Sequence, residues 1–243
     1  MNTLVTAGNT LVPIDRVRCI TNIFTGRTGA AIALHAQKRG HTVTLLTSHP
    51  ETVAETPRER WAVVRYCTFT DLQALMADLV RGGLDVVIHS AAVSDYLADG
   101  IYSPAPNTRF QPTDGIWHST DGRAPALVDR AAAKVKSDEP ELWLRMVRAP
   151  KLIDAIRADW GFRGTLVKFK LEAGIGDEQL LDIAERSRRH SDADLMVANT
   201  LEGSGSWAYL GPIEGRYQTI SRRELAERLL DQVEVVHQRK SHG

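Results

Sequence analysis

Cysteine is scarce in this chain of 243 residues: only Cys19 and Cys67 occur, in no metal-ligand spacing. Two isolated thiols exclude a disulfide framework and a cysteine-built zinc site, and they suit a reducing compartment. Each is expected to be a small buried apolar residue. Charge of one sign is also missing, since 30 Lys and Arg balance 30 Asp and Glu. A formal net charge of zero removes the general attraction that draws basic proteins to nucleic acid or acidic membranes, so neither is expected as a partner. No uninterrupted apolar run approaches the ~20 residues of a membrane span. The strand expected from Thr3 leaves no room for a signal peptide. A soluble, cytoplasmic protein is expected. The chain also lacks a Gly-x-Gly-x-x-Gly turn after its first strand; Ala7-Gly8-Asn9-Thr10 and a long loop stand there instead, which argues against a nicotinamide dinucleotide held by that motif.

What is present reads as a repeating alternation. A strand over Thr3–Ala7 leads through a Gly- and Pro-punctuated loop to the turn Thr25-Gly26-Arg27-Thr28-Gly29. A helix follows, carrying Ile32, Ala33, Leu34 and Ala36 and stopping at Gly40, where a left-handed cap suits glycine. Thr42–Thr47 is the next strand. Ala62–Tyr66 and Asp85–His89 flank a helix from about Asp71 to Arg81, whose Leu72, Leu75, Met76 and Leu79 recur at helical spacing. A strand over Thr165–Phe169, a helix from about Asp177 to Arg189 and a strand over Ala193–Ala198 continue the series. Ser221-Arg222-Arg223-Glu224 has the form of a capping box, before Leu225, Leu229, Val233 and Val236 on one helical face.

The fold implied is α/β, a doubly wound, mostly parallel Rossmann-like sheet with helices on both faces. With 43% hydrophobic and 25% charged residues, the chain can bury a full core, and one domain over residues 1–243 is expected. Two parts break the alternation. Lys134-Val135-Lys136 and Leu142–Val147, joined by Ser137-Asp138-Glu139-Pro140, alternate with a period near two, as an added β-hairpin would. Residues 97–130 hold Pro104, Pro106, Pro112 and Pro125 with little periodicity, and read as a long flap or insertion.

Two backbone turns carry the first chemical signal, one at Gly8, Asn9 and Thr10 and one at Gly26 to Gly29. Glycine turns at a strand end and a helix start present N–H groups to an anion, and Arg27 adds a charge-assisted donor. A nucleotide or phosphate ligand fits such a pocket.

The wording and order of the motifs resemble the phosphopantothenate-cysteine ligase (phosphopantothenoylcysteine synthetase) family, of the DNA/pantothenate metabolism flavoprotein C-terminal domain type, over nearly the whole chain. That family opens with Thr-Ala/Ser-Gly-Gly-Thr-x-x-Pro-Ile-Asp, then Ile-Thr-Asn and Ser-Ser-Gly-Lys-x-Gly. Thr6–Asp15, Ile20–Asn22 and Thr25–Gly29 match them here. Ala91-Ala92-Val93-Ser94-Asp95-Tyr96 matches its Ala-Ala-Val-x-Asp-Tyr element, and Lys134-Val135-Lys136 its Lys-x-Lys segment. Arg145-Met146-Val147-Arg148-Ala149-Pro150 matches its Lys-Met-Val-x-x-Pro element. Phe169-Lys170-Leu171-Glu172 is worded as in its eukaryotic branch, and Val197-Ala198-Asn199 closes the series.

The resemblance implies a ligase that joins 4′-phosphopantothenate to L-cysteine through an acyl-nucleotide in coenzyme A biosynthesis. Its co-substrate would be ATP or CTP with Mg²⁺, without flavin, and the enzyme would be a homodimer. It assigns the catalytic roles to Asn22 and Lys134. Asp95, Lys134, Ala149, Pro150 and Phe169 fall to the nucleotide, and Gly8, Asn9, Thr10, Gly26 and Arg27 to substrate phosphate; the metal ligands stay unassigned. Plainer roles remain open beside these: a solvated edge lysine for Lys134, a turn-stabilising Asn22, a capping Asp95 and a core Phe169. Asn9 replaces the family's second glycine and tolerates a positive φ better than most residues. Arg27 replaces a lysine. Ser187 and Ser191 stand where CTP-using members carry lysines, with Arg186, Arg188 and Arg189 nearby, and that wording leans towards ATP. Two other classes compete. A short-chain oxidoreductase would need a Tyr-x-x-x-Lys pair, which no suitable place supplies. A catalytically altered member, a nucleotide-binding module or a ligase for another carboxylate, would bind nucleotide but not phosphopantothenate.

Overall fold

A computed structural model describes residues 1–53 and 59–242. Along the chain, β1 (Asn2–Ala7), β2 (Leu11–Pro13) and β3 (Cys19–Thr21) precede α1 (Arg27–Lys38). Next come β4 (Thr42–Thr47), a 3-10 turn (Pro50–Thr52), β5 (Trp61–Arg65) and α2 (Phe69–Arg81). Five further strands, β6 (Val86–His89), β7 (Tyr96–Pro104), β8 (Thr108–Gln111), β9 (Ile116–Ser119) and β10 (Leu127–Asp129), lead to β11 (Trp143–Arg148) and α3 (Leu152–Ala158). The last elements are β12 (Thr165–Glu172), α4 (Asp177–His190), β13 (Leu195–Thr200), β14 (Trp207–Ile213), β15 (Arg216–Ser221) and α5 (Leu225–His242). They form two compact units, one of residues 1–10, 22–93 and 151–243, the other of residues 11–21 and 94–150.

The larger unit holds an eight-stranded sheet in the order β15-β14-β13-β12-β6-β1-β4-β5. From β13 to β5 every neighbouring pair is parallel, and β14 and β15 add an antiparallel edge. On one face Val5, Ala7, Ile88 and Val167 pack with Ile32 and Ala33 of α1 and Leu229 and Val233 of α5. On the other, Leu180 and Ala184 of α4 pack on Met196 and Ala198. The sheet is therefore doubly wound, and cover on both faces explains why β13 is buried at every position. Helix α1 sits tight on the sheet because residue 29 is glycine: a Cβ there would lie 2.7 Å from the Ala7 Cβ. Helix α2 starts at Phe69 rather than Asp71, since Thr68 and Asp71 cap its first turn reciprocally. At α5, the Ser221 hydroxyl donates to the Glu224 carboxylate and accepts the Glu224 N–H at 3.4 Å. The β14–β15 hairpin, absent from the sequence reading, turns at Glu214 and Gly215, both at positive φ (50° and 80°), as a two-residue hairpin requires.

The smaller unit is antiparallel. Strands β2 and β3 make a hairpin inside the opening loop, β10-β7-β11 make a three-stranded sheet, and β8 and β9 make a second hairpin. Residues 97–130, expected as a flap, are thus largely strands. The rings of Phe110, Trp117 and Trp143 meet at 4.7–5.3 Å and fix that second hairpin to β11.

Two expectations need correcting. Lys134–Lys136 does not pair with β11, which instead lies antiparallel to β7. Three residues with an apolar centre mimic a strand, but here Val135 is buried because its backbone is held by Asp15 and Arg18 rather than by a ladder. The cysteines are not buried: Cys19 is exposed on the short β3, whose three residues all face solvent, and Cys67 is half-buried. Among the described residues no helix is long and apolar enough to cross a membrane.

Candidate active site

In the larger unit the two expected backbone turns meet. Gly8 (φ 89°) ends β1 and Gly26 (φ 79°) caps α1. A Cβ on Gly26 would stand 2.1 Å from the Gly8 nitrogen and 2.8 Å from the Ala7 carbonyl carbon, so only hydrogen fits between them. Together they form one backbone surface at the carboxyl end of the parallel strands, where open α/β sheets hold ligands. Helix α1 has no side-chain cap and no acidic residue in its first turn, which leaves the positive end of its dipole without a carboxylate. Arg27 is exposed at its first position. A second cation, unnoticed in the sequence, comes from the β15–α5 junction: the Arg222 guanidinium bonds the Thr28 hydroxyl. Burial, with no charged group offsetting it, pulls the Arg222 pKa below the ordinary arginine value. Its sequence signal was hidden inside the capping-box wording.

Asn9 does not take the left-handed conformation that an asparagine in place of glycine suggested; Gly8 takes it instead. It is buried at 6% exposure, and its amide is a hub. Asn9 Nδ2 donates to the Asn22 carbonyl at 2.5 Å, while Asn9 Oδ1 accepts from Ser48 Oγ at 3.1 Å and lies 3.3 Å from His49 Nε2. Asn22 in turn donates its Nδ2 to the Ala92 carbonyl at 2.9 Å. That carbonyl also accepts the N–H of the fully buried Thr10, and Ala92 donates its own N–H to Gly8. Gly8, Asn9, Thr10, Asn22, Gly26 and the start of the Ala91–Tyr96 motif are therefore one assembly.

Phe169, on β12, is half-buried against the core beneath α1 and α5. Its neighbour Lys168 points to the other face. The Lys168 ammonium donates to the Ser187 carbonyl at 3.0 Å and to Ser191 Oγ at 2.5 Å, and Ser191 donates to Asp154 at 2.7 Å. Burial pulls the Lys168 pKa down, partly offset by the charge of Asp154. One ammonium from β12 thus reaches the Ser187 carbonyl in α4 and the Ser191 hydroxyl that follows its last residue. The nearby arginines are otherwise engaged, Arg186 with Asp182 and Arg188 and Arg189 with Glu185, whose carboxyl they hold at about 2. In register with Lys168, the buried His89 binds the Thr6 hydroxyl at 2.9 Å; burial first, then the Lys168 charge, push its pKa down to about 4.

The smaller unit carries the remaining candidates. Asp95 is exposed, and its carbonyl accepts the Ala149 N–H at 2.9 Å beside the Tyr96–Arg148 pair, so Asp95, Ala149 and Pro150 are neighbours. Lys134 is exposed, and its neighbour Val135 is held by Asp15 of the opening motif. The Asp15 carboxylate accepts the N–H groups of Val17, Arg18 and Val135 and a forked pair from the Arg18 guanidinium, which itself donates to the Val135 carbonyl. Arg18 above all, then the Val17 amide, holds the Asp15 carboxyl far below the usual carboxylate range. Sequence reasoning quoted Asp15 as a motif letter and gave it no task; its place just before two N–H groups it could accept was the available signal.

Residues 1–103 match the model of the DNA/pantothenate metabolism flavoprotein C-terminal domain. Over those residues, less than half of its length, the chain is similar to that family. The coenzyme A biosynthesis bifunctional protein CoaBC of Thermococcus kodakarensis is 32% identical over 237 residues, covering 95% of this chain and 50% of the relative. CoaBC of Escherichia coli K12 is 28% identical over 199 residues, 82% of this chain and 41% of the relative. The chain spans about half the length of the curated relatives it matches. Among solved structures, the DNA/pantothenate metabolism flavoprotein from Streptococcus pneumoniae superposes with a TM-score of 0.77 at 26% identity, over 97% of this chain and 99% of that one. A Cab2 variant in complex with phosphopantothenate-cysteine shares the fold at TM-score 0.69 and 17% identity, over 99% of this chain and 87% of that one.

Proposed function

We propose that this protein is a nucleoside-triphosphate-dependent ligase of coenzyme A biosynthesis, which joins 4′-phosphopantothenate to L-cysteine through an acyl-nucleotide. The observation that carries this reading is the joined Gly8–Gly26 backbone surface, with Arg27 and Arg222 beside it and no carboxylate in the first turn of α1. A carboxylate is a poor acyl donor. It must first attack the α-phosphate of the triphosphate, releasing pyrophosphate, after which the cysteine amine displaces the nucleotide. Both steps build negative charge on oxygen, and donors fixed in advance lower that barrier most.

In this reading Gly8, Asn9, Thr10, Gly26 and Arg27 bind phosphate, Asn22 orients the acyl-nucleotide, and Lys134 neutralises the reacting phosphoryl group. Asp95, Ala149, Pro150 and Phe169 serve the nucleotide. ATP stands ahead of CTP, because the α4 positions are serines already occupied by the Lys168 ammonium. The described residues gather no cluster of three His, Cys, Asp or Glu side chains, so Mg²⁺ enters this reading on the triphosphate's own oxygens and waters. A homodimer without flavin completes it.

Incubation with phosphopantothenate, cysteine, Mg²⁺ and ATP or CTP is expected to release pyrophosphate, and Lys134→Ala to abolish the release. Failure with both triphosphates overturns the reading. The same Lys168 contact favours a second one, an altered member that binds nucleotide without ligating these substrates. Calorimetric titration separates the two, because only the ligase binds phosphopantothenate.

A further inference from the structure

Asn9 is a substitution that the surrounding chain has answered. Its amide can lie only one way round: Nδ2 faces the Asn22 carbonyl, which solely accepts, so Oδ1 faces Ser48 and His49. Ser48 Oγ accepts the Asn9 N–H at 2.9 Å and spends its own proton on Oδ1. His49 then lies between two groups that only accept, Asn9 Oδ1 at 3.3 Å from Nε2 and the Glu51 carboxylate at 2.7 Å from Nδ1.

We propose that Asn9 is a positioning residue for Asn22, and that Ser48 and His49, which meet its Oδ1, hold the Asn9 amide in place. The proposal rests on the ligase reading only for what Asn22 does to substrate. Asn22 is gripped at both ends, its carbonyl by Asn9 and its amide by Ala92, whose backbone is laddered to Gly8 and Thr10. A change at Asn9 therefore reaches the Asn22 side chain without moving the sheet. Among the described residues the charged groups facing this cluster are Glu51, on the same 3-10 turn, and Arg65 of β5, which acts on Glu51. The Glu51 carboxyl is held below its ordinary value by its own backbone amide and then by the His49 ring.

The deciding measurement is nitrogen NMR of the whole protein, with wild type, Asn9→Gly, Asn9→Asp and His49→Gln compared. The Asn22 side-chain amide resonance should move in Asn9→Gly and in His49→Gln. An unmoved Asn22 resonance overturns the proposal whether or not the protein ligates phosphopantothenate. In the activity arm, Asn9→Asp puts a carboxylate against the Asn22 carbonyl; kcat should fall about tenfold or more with nucleotide KM unchanged. A rise in KM with unchanged kcat would show that the Asn9 side chain, and not only the backbone turn it belongs to, contacts phosphate, and would refute the positioning role. If Asn9→Asp does not fold, Asn9→Gly and His49→Gln decide alone.

Discussion

Replacing Gly26 by alanine tests whether the two glycine turns are a single surface. Two penalties apply. An L-residue at φ 79° costs about 1–2 kcal/mol because its Cβ crowds the following carbonyl. The Cβ would also stand 2.1 Å from the Gly8 nitrogen, where no flexible side chain can yield, so the β1–α1 junction must open. Over-packing of this kind costs about 1–3 kcal/mol. Gly40 is the internal control: its φ is 85°, and a Cβ there meets nothing within 4 Å. Gly40→Ala should therefore show the conformational penalty alone, and Gly26→Ala should be less stable by about 1–3 kcal/mol more. Urea denaturation followed by circular dichroism reads the difference, and pyrophosphate titration of both variants should show weakened binding only in Gly26→Ala. Equal destabilisation of the two variants would refute the claim that Gly8 and Gly26 are held in contact.

Acid should unfold the larger unit partly through His89. Its folded value of about 4 lies below the ordinary 6.5, so its contribution is complete above pH 6.5 and is lost as the pH falls towards 4. The loss amounts to about 3 kcal/mol, and urea titrations of His89→Gln should show a shallower decline. Asp15→Asn should release the Val135 amide, which hydrogen exchange reports as loss of protection at Val135 while β1 stays protected. Arg222→Gln should weaken binding of a phosphate-bearing substrate by about tenfold or more, read by calorimetry, whereas Arg222→Lys should retain part of it.

Strong periodicity and glycine punctuation made the parallel sheet legible. Strand β4 was placed to the residue, and α2 and α4 to within two residues at either end. Of the antiparallel parts β11 was legible, as Leu142–Val147, whereas β2, β3 and β10 hold three residues each and no period can be read from so few. Glu214-Gly215 was a usable hairpin signal that the flanking Trp207–Ser221 wording obscured. In the site, the turns at Gly8 and Gly26 were visible because glycine at a strand end has few other reasons to occur. Their contact was not visible, since nothing local in residues 8 or 26 states that a third atom would collide. Asp15, Arg222 and His49 act through partners 120, 194 and 40 positions away, distances over which a single sequence carries no pairing signal.

The chain passes between the two units at Thr10, Thr21, Val93 and Pro150, so the smaller unit is assembled from an eleven-residue piece and a distant second one. Asp15 and Val135 must find each other across 120 residues before that unit closes, a search that loop-closure entropy makes slow. No single cut of the chain isolates either unit. The first ten residues can form an interior strand of the sheet early, yet the motif they begin is finished only after Lys134 has been made. In a chain emerging from its N-terminus, the opening stretch would wait for more than half the sequence before its last hydrogen bonds could form.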